Sequence, residues 1–235
     1  MIKTIKSDER YHADWGWLDT RWHFSFDTYH DPANLNWGAL RVFNDDVIQP
    51  AKGFGFHPHR DMEIVTYVLE GELEHRDNQG NRGVIHAGEV QVMSAGTGII
   101  HSEYNHSAEK PLHLLQLWIL PRHDGSKPRW EQHQFANSER QGKLLPVVSD
   151  GALPGTLRID QDAQIYVSAL AAGQQVEHRS RPGRKAYLFA ISGEAEVNGT
   201  RLSAGDQARI ADEPGLKIGA TKDAELILLD LVEVE

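Results

Sequence analysis

Apolar positions along this chain come in short runs, and few stretches sustain a helical apolar period. The runs are ALRVFND, EIVTYVLEGELEHRD, GEVQVMS and LHLLQLWIL, then QIYVSAL, KAYLFAISGEAEVNG, DQARIA and AELILLDLVEV. Each is a segment, or two segments split by a glycine, of β-branched, aromatic or alternating character. The pairs Glu70-Gly71, Ala87-Gly88 and Asn198-Gly199, and the stretch from Asn78 to Gly80, fall between runs where a reversal calls for positive φ. This pattern predicts antiparallel strands in a sandwich or barrel, so an all-β chain.

The two halves echo each other. YVLEGELEHRDNQGNRGVIHAGEVQVM in the first half and FAISGEAEVNGTRLSAGDQARI in the second share one order. It runs strand, glycine, strand, turn, short strand, (H)AG or SAG, then strand again. This weak duplication predicts two small β-barrels in tandem. The polar stretch HDGSKPRWEQHQFANSERQGK, residues 123–143, is expected to link them, with a short helix near WEQHQF. We place an N-terminal domain at 1–130 and a C-terminal domain at 131–235.

Charge and composition narrow the function. Lys plus Arg number 24 and Asp plus Glu 34, a formal charge of −10 that repels nucleic-acid phosphates and anionic membranes. The absence of cysteine removes disulfides, thiolate metal sites and a cysteine nucleophile. The apolar run LHLLQLWIL is far short of the roughly 20 residues that span a bilayer. The N-terminus lacks a signal-peptide core, so a cytoplasmic location is expected.

Of 13 histidines, all but His178 fall at or before His133. The first half is therefore where imidazole chemistry belongs. In GFGFHPHRDME, His57 and His59 are two apart and share one face of a strand; Glu63 shares their parity if the strand is regular. Pro58 faces the other way and marks a strand start, edge or bulge. In SAGTGIIHSEYN, His101 and Glu103 repeat the i, i+2 spacing after two glycines. Three imidazoles and a carboxylate from two strands form a nitrogen and oxygen donor set for a divalent transition metal. Parity admits Glu63 or Glu103 as the carboxylate.

These two motifs resemble the signature motifs of the cupin superfamily. More narrowly, GWLDTRWHFSFDTYHDP, LRVFNDDVI, HPHRDMEIVTYVLEGELEHRD, MSAGTGIIHSEYN and LHLLQLWILP resemble the pirin family, including members described as quercetin 2,3-dioxygenases. The resemblance implies a bicupin, two tandem jelly-roll barrels, with one metal in the first. It implies His57, His59, His101 and Glu103 as ligands, and Glu63 then as a residue orienting an imidazole or an arginine. Its bland alternative is pairing with Arg60. Iron(II) is the expected ion, and Zn, Ni, Cu, Mn and Co also suit the donors. The implied activity is cleavage of a flavonol such as quercetin by O2, with Glu103 as general base. The alternative is a metal-dependent redox-sensing co-regulator that binds a protein partner without turnover, and a third is another cupin reaction such as isomerisation.

Other residues carry weaker signals. Trp15, Trp17, Trp22 and the FSF at 24–26 are expected in the core rather than a pocket. His75, His86, His106, His113, His123 and His133 are expected at the surface or in structural roles. His113 and Gln116 differ in parity, so only one can point into the barrel. His178 alone cannot hold a metal, which leaves the second barrel structural.

Overall fold

The structure is a computed structural model in which residues 1–234 are described. The strand-forming runs become β1 (Ile2–Ile5), β2 (Tyr11–Asp14), β3 (Leu18–Trp22), β4 (Leu40–Ile48), β5 (Gly53–His59) and β6 (Glu63–Glu70). They continue through β7 (Glu72–Asp77), β8 (Arg82–His86), β9 (Glu89–Ser94), β10 (Ile99–Asn105), β11 (Leu112–Ile119) and β12 (Arg129–Gln134). Strands β2 to β12 build one barrel from a seven-stranded sheet, β12-β9-β6-β11-β4-β3-β2, and a four-stranded sheet, β5-β10-β7-β8. The remaining strands, with β1, build a second barrel of the same plan, seven strands and four. The expected turns hold: Gly71, Gly80, Gly88, Asn198 and Gly199 all have positive φ. No helix is long and apolar enough to cross a membrane.

The larger sheet of the first barrel is buried on both faces, and strand alternation assigns each face a task. Phe43 of β4, Val65 and Tyr67 of β6, Val90 and Val92 of β9, and Leu115 and Leu117 of β11 pack outward. They meet Val148, Val167, Tyr187, Phe189, Ile227 and Leu229 of the second barrel in one core. The opposite face points into the first barrel, where Val68, Leu112, Leu114 and Ile48 meet Leu73 and Ile85 of the smaller sheet. Two buried faces explain why these strands read as nearly continuous apolar runs.

Polar bonds reinforce the junction. Tyr187 donates its hydroxyl proton to Gln207 Oε1 at 2.6 Å and contacts His23 Nδ1, while Arg209 Nη2 donates to the His23 carbonyl at 2.8 Å. The chain itself crosses over, because β1 pairs with Gln207–Ala211 of the second barrel.

The segment expected to be a helix near WEQHQF is instead β12, antiparallel to β9. Its polar sequence has no apolar stripe to stabilise an isolated helix, and the open edge of β9 supplies a full set of backbone partners. The short helix of this region lies just beyond, at Asn137–Arg140.

Because the largest core is shared, the barrels should unfold together. Phe189→Ala, at a side chain 2% exposed, is expected to cost about 3–5 kcal/mol and to lower the midpoint of a single urea transition. Two separate transitions would show that the barrels are independent.

Candidate metal centre

Strands β5 and β10 lie side by side in the smaller sheet, with His101 directly opposite His57 and Ile99 opposite His59. The register slips between His101 and Glu103, which face His57 and Phe54 respectively. The extra residue lies in β5, so the bulge keeps His57, His59 and Phe54 on the inner side and turns Phe56 outward, 66% exposed. Pro58 sits on this edge strand, where its missing N–H costs no ladder bond. Gly96, at φ +45, precedes β10 where a Cβ would lie 1.9 Å from the Ser126 carbonyl oxygen, so no other residue fits that approach.

The ring nitrogens of His57, His59 and His101 all come within 4.8 Å of one another. His57 Nδ1 lies 2.7 Å from the Gly55 carbonyl oxygen. A carbonyl only accepts, so Nδ1 carries the proton and Nε2 presents a lone pair. A second chain sets His101. His75 Nε2 lies 3.2 Å from Asp77 Oδ2, and His75 Nδ1 lies 3.5 Å from His101 Nδ1. Burial raises the Asp77 pKa, but bonds from Asn81, His75 and Gln79 outweigh it and hold the carboxyl below its usual range. An ionised Asp77 accepts a hydrogen bond from His75 Nε2–H, His75 Nδ1 then accepts from His101 Nδ1–H, and His101 Nε2 is left with its lone pair.

These two lone-pair nitrogens, His57 Nε2 and His101 Nε2, stand 3.1 Å apart. Without a proton between them they repel. Two nitrogens each about 2.1 Å from one ion stand about 3.0 Å apart at a right angle, so a single cation fits between them. Burial and the neighbouring imidazoles lower His59 to about 4 and His101 to about 3, which keeps both in the neutral, ligating form.

Glu103 is 3% exposed. Gln91 Nε2 donates to its Oε1 at 2.5 Å, and Gln116 Nε2 donates to its Oε2 at 2.7 Å. Each amide is itself oriented by an indole, since Trp130 Nε1 donates to Gln91 Oε1 at 2.8 Å and Trp118 Nε1 to Gln116 Oε1 at 3.2 Å. An indole N–H only donates, so neither amide can turn over. Each carboxylate oxygen keeps a further lone pair. A Glu103 carboxylate oxygen and ring nitrogens of His75 and His101 lie within 4.8 Å of one another, a second group that shares only His101 with the three-imidazole group. Both clusters of three or more ligating side chains found among the described residues are therefore in the first barrel and share His101.

The amides belong to a row that crosses the facing sheet. Asn44 of β4 opposes Gln116 of β11, Gln116 opposes Thr66 of β6, and Thr66 opposes Gln91 of β9. The sequence reading missed Gln91, Thr66 and Asn44. Their signal was one polar residue inside the apolar run of β6, Thr66, and of β9, Gln91, while Asn44 opens the polar NDD stretch of β4.

A cavity of about 370 Å³ opens beside the imidazoles, lined by His57, His59 and Glu103 with Gln116, Asn44 and Asp46. Trp15, Trp22, Phe26, Phe54 and Trp118 form its apolar walls. The expectation that the N-terminal aromatics are core thus holds for Phe24, in the shared core, for Trp17, packed against the first barrel's own core, and for Trp22, 2% exposed although it also lines the cavity, but not for Trp15 and Phe26. Between the two candidates on β11, Gln116 points inward, while His113 pairs with Asp45 at 2.7 Å. His75 is fully buried and acts on His101, a role its sequence position did not reveal. His86, His106 and His123 pair with surface carboxylates. His178 pairs with Asp230 at 2.7 Å in the second barrel.

Glu63 stands apart from the imidazoles. The chain leaves the smaller sheet after His59 and re-enters in the larger one, so the parity that linked Glu63 to His57 and His59 is lost. Ser94 Oγ donates to Glu63 Oε2 at 2.7 Å, and Arg129 contributes the nearby positive charge. Arg60 pairs with Asp61 instead. Burial raises the Glu63 carboxyl to about 7.

Known proteins share this architecture. Residues 5–119 match the family model described as Pirin, and residues 146–231 match the Quercetinase C-terminal cupin domain. The chain is 48% identical over 235 residues to the quercetin 2,3-dioxygenase of Escherichia coli (strain K12), covering 100% of both. It is 46% identical over 233 residues to the pirin-like protein of Caulobacter vibrioides, covering 98% of this chain and 99% of that one. The crystal structure of YhhW from Escherichia coli superposes with a TM-score of 0.96 at 45% identity, covering 100% of this chain and 99% of that one. The structure of the bacterial pirin YhhW in complex with nickel(II) gives 0.94 at 46% identity, with 100% of both chains covered. Matched along both barrels and nearly half identical to full-length relatives, the chain belongs to the pirin family.

Proposed function

We propose that this chain is a metal-dependent dioxygenase that cleaves flavonols such as quercetin, with His57, His59, His101 and Glu103 as the ligands of one divalent ion. The observation that carries this reading is the pair of imidazole nitrogens facing each other at 3.1 Å with their protons held on the far side of each ring. The name of the Escherichia coli relative and the nickel(II) complex of YhhW support it. Iron(II) is the ion we propose here, and the imidazole and carboxylate donors fit it.

A divalent ion bound there supplies a Lewis acid that lowers the pKa of a coordinated hydroxyl, and an electron-transfer partner for O2. The protein residues do the rest. Trp22, Phe26, Phe54 and Trp118 hold the flat rings and exclude water from the reacting face. Glu103 accepts the proton of the substrate's enolic hydroxyl, and Gln91 and Gln116 keep its oxygens in place while it does so. The Asp77–His75 chain keeps His101 in the ligating tautomer.

One further observation favours a second role. Phe56, Ile100 and Tyr104, 66%, 43% and 41% exposed, stand on β5 and β10, the strands that carry the imidazoles. An apolar patch there suits a protein partner that senses the ion. Pull-down with metal-loaded and metal-free protein separates the readings: a metal-dependent partner without turnover favours the co-regulator.

The enzyme reading is tested by anaerobic loading with iron(II), then oxygen uptake and carbon monoxide release with quercetin. Uptake that depends on both substrate and ion is expected, and none in fully loaded protein sinks the proposal. Metal analysis tests the ligands. His59→Ala and Glu103→Ala are expected to lose bound ion, and Glu63→Gln to keep it in full.

Glu63→Gln also has a pH signature. The folded carboxyl titrates near 7 against an ordinary value of 4.5. Between those values the folded state holds a proton that the unfolded state has released, so this group's contribution to stability falls as pH rises. The variant should therefore gain melting temperature over the wild type at pH 8 and show little gain at pH 5. Equal shifts at both values would refute the assignment.

A further inference from the structure

The buried carboxamide of Asn44 leaves its oxygen without a partner in the protein. Asn44 is 4% exposed, and its Oδ1 has no hydrogen-bond partner. A buried acceptor left unpaired costs about 1–3 kcal/mol. Among the described residues four other buried side-chain atoms are unpartnered, on Asn34, Gln132, Arg140 and Ser168. Only Asn44 lines the cavity that also holds His57, His59 and Glu103.

Register fixes where this group stands. Asn44 directly opposes Gln116, whose amide holds Glu103, and is one strand further out across the sheet. That step is about 4.8 Å, close to the width of an aromatic ring. A flat molecule that meets Glu103 with one polar edge, and lies against Trp22 and Trp118, extends toward Asn44. Asp46 is two residues along the same strand face and lines the same cavity; Thr20 Oγ1 donates to its Oδ1. Burial, opposed by that bond and aided by the charges of Asp45 and Glu103, lifts the Asp46 carboxyl to about 7, so in mildly acidic solution it adds an O–H donor to this wall.

We propose that Asn44 is a specificity-determining residue, whose carboxamide binds a hydroxyl group borne by an aromatic substrate away from the oxygen that faces the imidazoles. A hydroxyl both donates and accepts, so it satisfies the amide in either orientation. The preferred substrates are then hydroxylated planar aromatics with polar groups at two separated points, rather than aromatics with a single polar edge. This inference rests on the reading of the cavity as the substrate pocket, and it specifies which members of the substrate class fit.

Fragment binding tests it without metal or turnover. Phenol and toluene differ by the hydroxyl alone, and their affinities for metal-free protein can be measured by ligand-observed NMR. The wild type should bind phenol about tenfold more tightly than toluene. Asn44→Leu should abolish that preference, and Asn44→Ala, which adds no bulk, should do the same. Because the orphaned amide is removed, Asn44→Leu should also melt no lower than the wild type, a result opposite to that of a residue kept for structure. In iron-loaded protein under anaerobic conditions, the variant should weaken quercetin about tenfold by tryptophan quenching and leave unsubstituted 3-hydroxyflavone unchanged. A phenol-to-toluene ratio that is the same in wild type and variant, or no binding of either fragment, overturns the inference. Asn44-dependent discrimination without oxygen uptake leaves it standing and removes only the dioxygenase reading.

Discussion

Everything in the first barrel depends on one sheet being buried twice. The seven-stranded sheet packs its outer face against the second barrel through Phe43, Tyr67 and Leu117, which meet Tyr187, Phe189 and Leu229. Only because that face is sealed can the inner face tolerate a row of polar side chains. Asn44, Gln116, Thr66 and Gln91 cross four strands in register on that inner face. Among the described residues both three-residue ligand clusters lie in the first barrel, and the second barrel packs its own core strands against this sheet.

The rigid row gives the facing sheet something to be held against. Glu103 reaches across from β10 and is clamped by two amides that two indoles have already turned. The imidazoles are held by the same device at a different point: the Gly55 carbonyl takes the outer proton of His57, and His75 takes that of His101. In each case a group that can only donate or only accept stands at the far end, so orientation is decided before any ligand arrives. Such preorganisation lowers the cost of ordering on binding.

The cavity departs from this economy at one place. Every amide in the row except that of Asn44 is committed to a neighbour, and Asn44 is buried with its oxygen unpaired. Natural cores rarely leave such a group unsatisfied unless something else completes it. The aromatic walls, Trp15 and Trp22 from the N-terminal arm and Trp118 from β11, come from separated parts of the chain. They give the pocket a flat apolar character that the histidine-bearing strands alone do not provide.

Much of this was legible in the residues. Short apolar runs with glycine turns set the all-β class, and the i, i+2 spacing of His57 with His59 and of His101 with Glu103 set two inward pairs, because side chains alternate along any strand. What lay beyond the sequence depended on partners distant along the chain. Parity held Glu63 and Glu103 equal until the turn after His59 carried Glu63 into the other sheet. RWEQHQ became a strand because β9 had a free edge, and His75 became an orienting group because β7 lies beside β10. Local pattern determines which way a side chain points from its own strand. Which strand it then faces is decided only when the sheets pair and close, since that is settled by burial and backbone hydrogen bonding over the whole barrel.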